Sequence, residues 1–283
     1  MANLIYIYLD NCNEAKHNCV YFYFGKLKMI DFNSNDPIAQ LNFTTAPIGI
    51  YKNDIKEGSA SGFFFKNGDT RYLVTNRHVV IDEKDGFYAD KLIIELHMQK
   101  RDLKDFEEFE IDLYKNGNPV WLEHFDYKNN QCDVILIELP TRIEKDYFIK
   151  CFRPNNFLND RSFETIPDVL VLGYPLGFYD DKNCMPVYRK GTVSSAFGHS
   201  FDDQPYFLID ANLHEGTSGS PVISSAHNTL KNQSGSFVTS SAILLGIHSA
   251  EHYTEDKPLG LNVVWYGELL IEIIEKETLH NKS

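Results

Sequence analysis

Short apolar runs, four to six residues long, recur along this chain of 283 residues between clusters of Gly, Asn, Asp and Pro. The runs are rich in β-branched and aromatic side chains, a pattern typical of β-sandwiches and β-barrels. Helix-length segments do not alternate with them, which disfavours a parallel sheet of βαβ units. The predicted strands include residues 62–65, 71–75, 92–96, 134–137, 169–172, 206–209 and 243–248.

Breaks in this pattern predict the turns, connections and one helix. The Asn67-Gly68 dipeptide between two runs favours a tight hairpin. Residues 141–167 are polar and irregular, so we place the connection between two β units there. The stretch 224–241 is rich in Ser and Asn, as a long hairpin loop would be. Apolar residues at helical spacing predict a C-terminal helix. They are Tyr266, Leu269, Leu270, Ile273 and Ile274.

The chain is therefore predicted to be all-β, with two β units and a helix. We expect an N-terminal segment at 1–44, a first unit at 45–150, a second unit at 151–264 and a helix with its tail at 265–283.

Composition restricts the partners and the location. A hydrophobic content of 43% is enough to fill a core, and the net charge of -13 comes without a basic stripe. Nucleic acid is therefore excluded as an expected partner. The first ten residues lack a basic region, and their apolar run is too short for a signal peptide or a membrane span. We expect no membrane association and a cytoplasmic location, with export by an unrecognised route as the alternative.

The five cysteines form no C-x-x-C pair, and their odd number argues against a complete disulfide framework. We expect free thiols. Cys12, His17 and Cys19 are close enough to suggest zinc, but no second ligand pair follows at finger-like spacing. An N-terminal packing segment is the favoured interpretation, and we expect neither a metal nor a cofactor.

Three short sequence motifs, called phrases below, contain candidate catalytic residues. These residues are His78, Asp133 and Ser218, in that order. A serine hydroxyl is a weak nucleophile, so hydrolysis needs an imidazole to take its proton and a carboxylate to orient that imidazole. Each residue alone has a structural alternative, but their joint occurrence favours catalysis. The phrases are Thr-Asn-Arg-His-Val-Val at 75–80, Cys-Asp-Val-Ile-Leu-Ile at 132–137 and Gly-Thr-Ser-Gly-Ser-Pro at 216–221.

The phrase around the candidate nucleophile also provides for the charge that develops during acyl transfer. Gly216 allows a backbone turn in which its N–H and that of Ser218 point at one oxyanion. Gly219 leaves the hydroxyl accessible. Asp133 opens an apolar strand, where a carboxylate is partly desolvated unless a group donates to it. The Nδ1–H of His78 is the donor that catalysis requires.

With these phrases the chain resembles the chymotrypsin-like serine peptidases, in the bacterial branch that contains Deg-type proteases and glutamyl endopeptidases. The resemblance covers about residues 45 to 265 and implies two antiparallel six-stranded β-barrels with the triad in the cleft between them. Weaker matches are Leu-Gly-Tyr-Pro-Leu-Gly at 172–177, Gly-Thr-Val-Ser-Ser at 191–195 and Gly-Ile-His-Ser at 246–249.

The resemblance also implies roles for residues outside the triad. Ser249 is expected to support Asp133, and Ser249, Ala250 and Glu251 are expected to pair with a protein or peptide substrate bound as an extended strand. The digestive members of the family have an aspartate where this chain has Thr217, and no Ile-Val-Gly-Gly sequence occurs. A zymogen switch of that kind is therefore not expected.

His248 is the clue to specificity. The resemblance to glutamyl endopeptidases and to picornaviral cysteine proteases places it in the wall of the S1 pocket, where an imidazole can donate to Glu or Gln; a packed histidine is the alternative. Leu213 replaces a hydroxyl residue of the glutamyl enzymes. Glu251 at the pocket mouth would repel glutamate by roughly 4 kcal/mol at about 4 Å and an effective dielectric near 20. Gln or an apolar residue is then competitive. Asn212 is expected near the pocket floor, which predicts little tryptic cleavage.

The favoured function is a serine endopeptidase with a Glu or Gln preference at P1. A peptide- or protein-binding module on the same fold, with an occluded cleft, is the alternative that Leu213, Glu251 and the long N-terminal segment motivate. A cytosolic effector or defence peptidase with one dedicated target shares the chemistry of the first hypothesis.

Overall fold

A computed structural model describes residues 40–99, 102–125, 131–157, 161–163, 168–224, 229–232, 237–239, 242–254 and 257–280. Most of the predicted N-terminal segment, with Cys12, His17 and Cys19, lies outside the described residues. The strands of the first unit are β1 (Thr45–Lys52), β2 (Ile55–Asn67), β3 (Thr70–Thr75), β4 (Ile81–Asp82), β5 (Phe87–Tyr88), β6 (Lys91–His97), β7 (Phe106–Asp112), β8 (Tyr114–Lys115), β9 (Asn118–Pro119), β10 (Trp121–Glu123) and β11 (Ile135–Glu138).

The remaining strands and helices follow the first unit along the chain. They are α1 (Ile143–Asp146), β12 (Arg161–Phe163), β13 (Asp168–Gly173), β14 (Val187–Val193), β15 (Tyr206–Ala211), β16 (Pro221–Ser224), β17 (Thr229–Asn232), β18 (Phe237–Thr239), β19 (Leu244–Thr254), β20 (Lys257–Tyr266) and α2 (Leu269–His280). Every strand named from the apolar runs is present. The helix α2 confirms the predicted C-terminal helix, but Tyr266, which was predicted to belong to it, is the last residue of β20.

The first unit is a seven-stranded antiparallel sheet in the order β10-β11-β3-β2-β1-β6-β7. The predicted hairpin at Asn67-Gly68 joins β2 to β3, and Gly68 has the positive φ of 56° that such a turn requires. Among the described residues the edge strands β7 and β10 do not pair, so this unit differs from the expected closed six-stranded barrel. The chain between them is the small β8–β9 hairpin, in which Pro119 has no N–H to donate to a ladder.

The second unit is a closed six-stranded barrel in the order β13-β14-β15-β20-β19-β16, as predicted. Its interior is filled by alternating apolar side chains, including Val171, Phe207 and Ile209. A separate apolar cluster combines residues of both units, among them Phe63, Val134, Leu172, Ile247 and Leu270. Because this cluster spans the boundary, it fixes the cleft between the two units.

The polar stretch at 224–241 contains more structure than a loop. Within it, β17 and β18 pair with each other, and β17 also pairs with β12 to make a three-stranded sheet. Thr and Phe residues in these short strands suit a β-sheet even where their neighbours are polar. No helix among the described residues combines the length and the apolarity needed to cross a bilayer.

Candidate active site

His78 lies in a 3-10 turn, Arg77–Val79, directly after β3. The guanidinium of Arg77 fixes this turn: its Nε lies 2.8 Å from Glu123 Oε2, and its Nη2 lies 2.9 Å from Glu83 Oε1. The Arg77 side chain is only 9% exposed, so these ion pairs are partly shielded from water. The turn therefore presents the neighbouring imidazole at the end of a strand with little freedom in its backbone.

Asp133 lies two residues before β11 and next to this turn. Asn76 Nδ2 donates to the Asp133 carbonyl at 2.6 Å, and the His78 amide donates to Asp133 Oδ1 at 2.9 Å. The His78 Nδ1 lies 2.6 Å from Asp133 Oδ2, and the Ser249 hydroxyl donates to the same oxygen at 2.6 Å. The carboxylate thus has a donor at each oxygen, and it orients the imidazole through Nδ1.

The imidazole of His78 is 43% exposed, whereas the Asp133 side chain is 19% exposed. Burial lowers the pKa of His78, but the hydrogen bond to Asp133 and the charges of Asp133 and Asp82 raise it more strongly. The net result is a His78 pKa above its ordinary value. Such a shift makes the imidazole a better proton acceptor once it is neutral.

Ser218 lies across the cleft on the loop before β16. Its hydroxyl donates to the Ser249 carbonyl oxygen at 2.9 Å, so it is not directed at the imidazole of His78 in this state. The Ser218 carbonyl accepts from the Ser61 amide at 2.9 Å, which ties the loop to β2 of the first unit. The structure therefore brings the three predicted residues to one cleft, with the hydroxyl turned toward Ser249.

The loop around Ser218 has the backbone form that its glycines were predicted to allow. Gly216 and Gly219 both have φ of 85°. A Cβ added at Gly219 would lie 2.2 Å from the Ser61 carbonyl oxygen. Among the described residues, no backbone hydrogen bond uses the amide of Gly216 or of Ser218. Both amides are therefore available to an anion in the cleft.

A cavity of about 590 Å³ adjoins Ser218. Of the residues predicted to bind substrate, Leu213, His248, Ser249, Ala250 and Glu251 line it. Asn212 does not: its side chain is exposed after the end of β15. The remaining lining residues are Leu176, His214, Glu215, Tyr253 and Asn262.

His248 is buried in the cavity wall with only 3% of its surface exposed. Its Nδ1 lies 3.0 Å from the Thr217 carbonyl oxygen, and its Nε2 lies 3.4 Å from Asn262 Oδ1. Asn262 Nδ2 donates to the Ala211 carbonyl at 2.8 Å, which fixes the side-chain amide with its oxygen toward the imidazole. Burial is the main cause that lowers the pKa of His248. The buried imidazole is therefore neutral at pH 7.

The chain matches the family described as trypsin-like peptidase domain over residues 60–230, which is more than half of its length and includes His78, Asp133 and Ser218. The chain belongs to this family. The match confirms the predicted family, the peptidases of trypsin-like fold. No curated protein matches the chain at a significant level.

Solved structures similar to this trypsin-like peptidase domain include three proteases. A serine endoprotease from Yersinia pestis is 17% identical with a TM-score of 0.50, covering 85% of this chain and 64% of its own. The HtrA-type protease AlgW with tripeptide is 16% identical with a TM-score of 0.43, covering 87% and 63%. A protease from M. tuberculosis in its active form is 16% identical with a TM-score of 0.47, covering 86% and 84%. The chain thus spans less than two thirds of the first two proteins.

Several residues of this peptidase that reach the site were not singled out from sequence, among them Ser61, Leu176 and Asn262. Ser61 bonds to the loop of Ser218 from β2, Leu176 lines the cavity, and Asn262 contacts His248. The sequence signal for Asn262 was that it is a polar residue within the apolar run of β20. Only the weaker match at 172–177 marked the neighbourhood of Leu176.

The described cysteines do not compete with Ser218 as nucleophiles. No disulfide bond joins Cys132, Cys151 or Cys184 to another described residue. Burial raises the pKa of Cys132 to about 12 and that of Cys151 to about 11, so both stay protonated thiols near neutral pH. Within the described residues, no group of three or more His, Cys, Asp or Glu side chains could hold a metal ion.

Proposed function

We propose that this trypsin-like peptidase is a serine endopeptidase with a triad of His78, Asp133 and Ser218. The observation that carries the proposal is the arrangement at Asp133. Its Oδ2 lies 2.6 Å from His78 Nδ1 and accepts the Ser249 hydroxyl at 2.6 Å, beside a cavity that Ser218 lines. A carboxylate in this position keeps Nδ1 protonated, so Nε2 retains the lone pair that takes a proton from serine.

Catalysis begins when the Ser218 hydroxyl leaves the Ser249 carbonyl, to which it donates at 2.9 Å, and turns toward His78. This change requires the Ser218 side chain to rotate. Ser218 Oγ then attacks the substrate carbonyl while His78 takes the proton and later gives it to the leaving amine. The Gly216 and Ser218 amides stabilise the oxyanion, and water releases the acyl group.

The substrate is a protein or peptide that binds as an extended strand along β19. The pairing of β16 with β19 ends at Pro221 and Ile247, and the register of β19 against β20 shifts between His248 and Glu251. Such an irregularity leaves backbone groups of the bulged strand unpaired. Residues 249–251 therefore offer a free edge beside the nucleophile for strand addition.

The P1 residue that fits the cavity best is glutamine. A carbonyl oxygen only accepts hydrogen bonds, so Thr217 takes the single N–H of the neutral His248 ring through Nδ1. Nε2 then carries a lone pair. This agrees with its longer separation of 3.4 Å from Asn262 Oδ1, because both atoms are acceptors. A glutamine carboxamide can donate to Nε2, whereas a glutamate carboxylate finds no donor there.

Charges at the mouth of the cavity act in the same direction. Glu215 and Glu251 line the cavity and are exposed. Glu251 accepts from the Gly260 amide and from the Tyr253 hydroxyl, each at 3.3 Å, which holds its carboxylate in the β19–β20 hairpin. Two carboxylates near the entrance repel a glutamate side chain but leave a neutral glutamine unaffected.

A fluorophosphonate probe tests the proposal directly. Wild-type protein should be labelled at Ser218, Ser218→Ala should not, and Ser194→Ala, which changes an exposed serine outside the cavity, should keep full labelling. New protein N-termini made by wild type and absent with Ser218→Ala would then identify substrates. Well-folded, uninhibited wild type that stays unlabelled would count against catalysis.

A peptide-binding module is the second candidate, and the direction of the Ser218 hydroxyl favours it. In this state the hydroxyl is bonded to Ser249 rather than to the base. A module that only binds peptides would keep its full biological effect and its peptide affinity in Ser218→Ala. An enzyme would lose the effect and keep the affinity.

A further inference from the structure

Ser61 is a fully buried serine of the first unit whose hydroxyl and amide both bond to the second unit. Its hydroxyl donates to the Gly216 carbonyl at 2.8 Å and accepts from the Tyr174 amide at 2.9 Å. Its amide donates to the Ser218 carbonyl at 2.9 Å, and its own carbonyl accepts from Thr75 Oγ1 at 2.9 Å. One side chain of β2 therefore links two parts of the second unit that lie far apart in sequence.

One of those parts is a tight turn beside the loop that carries Gly216 and Ser218. Within the turn Pro175–Gly177, Leu176 has a left-handed backbone with φ of 53° and ψ of 24°. Its amide donates to the Glu215 carbonyl at 2.6 Å. Its side chain is 67% exposed, so packing of that side chain does not explain a conformation that costs a non-glycine residue about 1–2 kcal/mol. The hydrogen bond to Glu215 is what the conformation provides.

This hydrogen bond determines the direction of the Gly216 amide. The Glu215 carbonyl and the Gly216 N–H belong to one planar trans peptide unit and point in opposite directions. Because the Leu176 amide holds the Glu215 carbonyl toward the turn, the Gly216 N–H points away from the turn. Glycine tolerates either sign of φ, so Gly216 itself does not prevent this peptide from turning over. A Cβ at Gly216 would lie 2.8 Å from both Leu176 N and Tyr174 O, which shows how closely the turn is packed here.

We propose that Ser61 is a positioning residue for the oxyanion hole, acting through Gly216 and through the turn that carries Leu176. Its hydroxyl fixes the peptide after Gly216 directly. Through Tyr174 it also holds the turn whose Leu176 amide fixes the peptide before Gly216. The peptide units on both sides of the Gly216 amide are therefore held in place by a residue of the first unit. This inference rests on the serine endopeptidase proposed above.

Ser61→Ala tests the role, with Ser220→Ala as the matched control. Ser220 is also fully buried, and its hydroxyl has no hydrogen-bond partner among the described residues. Loss of an oxyanion donor costs about 10²–10³ in kcat, so a donor aimed correctly only part of the time should cost about 10- to 100-fold. We expect Ser61→Ala to lower kcat by this amount with KM unchanged, and Ser220→Ala to lower neither. Affinity for a peptidyl trifluoromethyl ketone should fall with kcat, while affinity for the product peptide stays constant.

Leu176 provides a second test that leaves the core intact. Valine resists the left-handed conformation and asparagine tolerates it, so Leu176→Val should have a kcat well below that of Leu176→Asn. Equal kcat values for the two variants, together with wild-type kcat in Ser61→Ala, would overturn the proposal.

Crystal structures of wild type and Ser61→Ala separate this proposal from the proposed function. A second orientation of the peptide between Glu215 and Gly216 in the variant alone would support the role of Ser61, even if wild type proved unreactive to fluorophosphonate. A single unchanged orientation in the variant would contradict it, even if wild type were an active peptidase.

Discussion

Ser249 and Asp133, which are 116 residues apart in the sequence, share a hydrogen bond of 2.6 Å that crosses the cleft. The bond places a second donor on the carboxylate oxygen that faces His78. Hydrogen bonds to charged groups contribute about 1.5–3 kcal/mol, so we expect Ser249→Ala to lower kcat about 10-fold. The substitution keeps the backbone carbonyl of residue 249, so the substrate can still pair with β19. KM should therefore change little. Steady-state kinetics on one peptide measures both values, and a rate equal to that of Ser194→Ala would show that the bond is dispensable.

Replacing Asp133 by asparagine should cost far more. The amide can present its NH₂ to Nδ1 and so favour the wrong tautomer of His78, a change that costs about 10⁴ in kcat for a triad of this type. Glu138→Gln removes an exposed carboxylate from the end of the following strand, β11, and should leave kcat unchanged. A loss of less than tenfold in Asp133→Asn would contradict the role assigned to this carboxylate.

The pH dependence should report the raised pKa of His78. The neutral imidazole is the active base, so kcat/KM falls as pH drops through the pKa of the free enzyme. The raised pKa places the midpoint of this acidic limb above the ordinary imidazole value of about 6.5. Removing the Asp82 charge with Asp82→Asn should move the midpoint to lower pH, because that charge contributes to the raised pKa. A midpoint below about 6.5 in wild type would disagree with this electrostatic account.

The P1 preference should depend on the protonation of His248. At pH 7.5 we expect kcat/KM for a glutamine peptide to exceed that for the matching glutamate peptide about 10-fold or more, the equivalent of one hydrogen bond. The lowered pKa of His248 means that a second ring proton binds only below the ordinary value, so the ratio should narrow as pH falls beneath about 6.5. The titration of His78 affects both peptides equally, so it cancels in the ratio of their kcat/KM values at each pH.

His248→Ala should reduce this discrimination to the part that Glu215 and Glu251 provide, while Ser218 still reacts with fluorophosphonate. A variant that retains the wild-type ratio would instead make His248 a packing residue of the barrel.

Two glycine substitutions separate backbone strain from steric overlap. Gly219→Ala and Gly68→Ala both place a side chain at positive φ, which costs about 1–2 kcal/mol. A Cβ at Gly68 meets nothing within 4 Å, whereas one at Gly219 would lie 2.2 Å from the Ser61 carbonyl oxygen. Gly219→Ala should therefore lose about 1–3 kcal/mol more of the free energy of unfolding. Urea denaturation measures the difference, and equal losses would mean that the loop shifts freely.

Local chemistry explains what the sequence made predictable. The phrases around His78, Asp133 and Ser218 are recognisable because each role requires a particular residue type with particular neighbours. The contact of Ser61 with Gly216 was not predictable, since it joins residues 155 positions apart and leaves no local signature. Such contacts depend on how the two units dock.

Strand register and residue polarity account for two further differences between prediction and structure. Asn212 was expected at the pocket floor, but the cavity is lined by Asn262 of β20, opposite Glu251 in the β19 ladder. A shift in that ladder decides which side chain points inward, and sequence alone does not reveal it. The strands inside 224–241 were missed because their polar neighbours resemble those of a loop.

The split of the active centre between two units also bears on how this protein is synthesised. A nascent fragment that ends before Ser218 carries the base and its carboxylate but no alcohol to activate. A fragment that ends before Ser249 also lacks the hydroxyl that donates to Asp133, together with part of β19 and all of β20. The proposed hydrolytic chemistry therefore becomes possible only after translation has passed Ser249 and both units can dock.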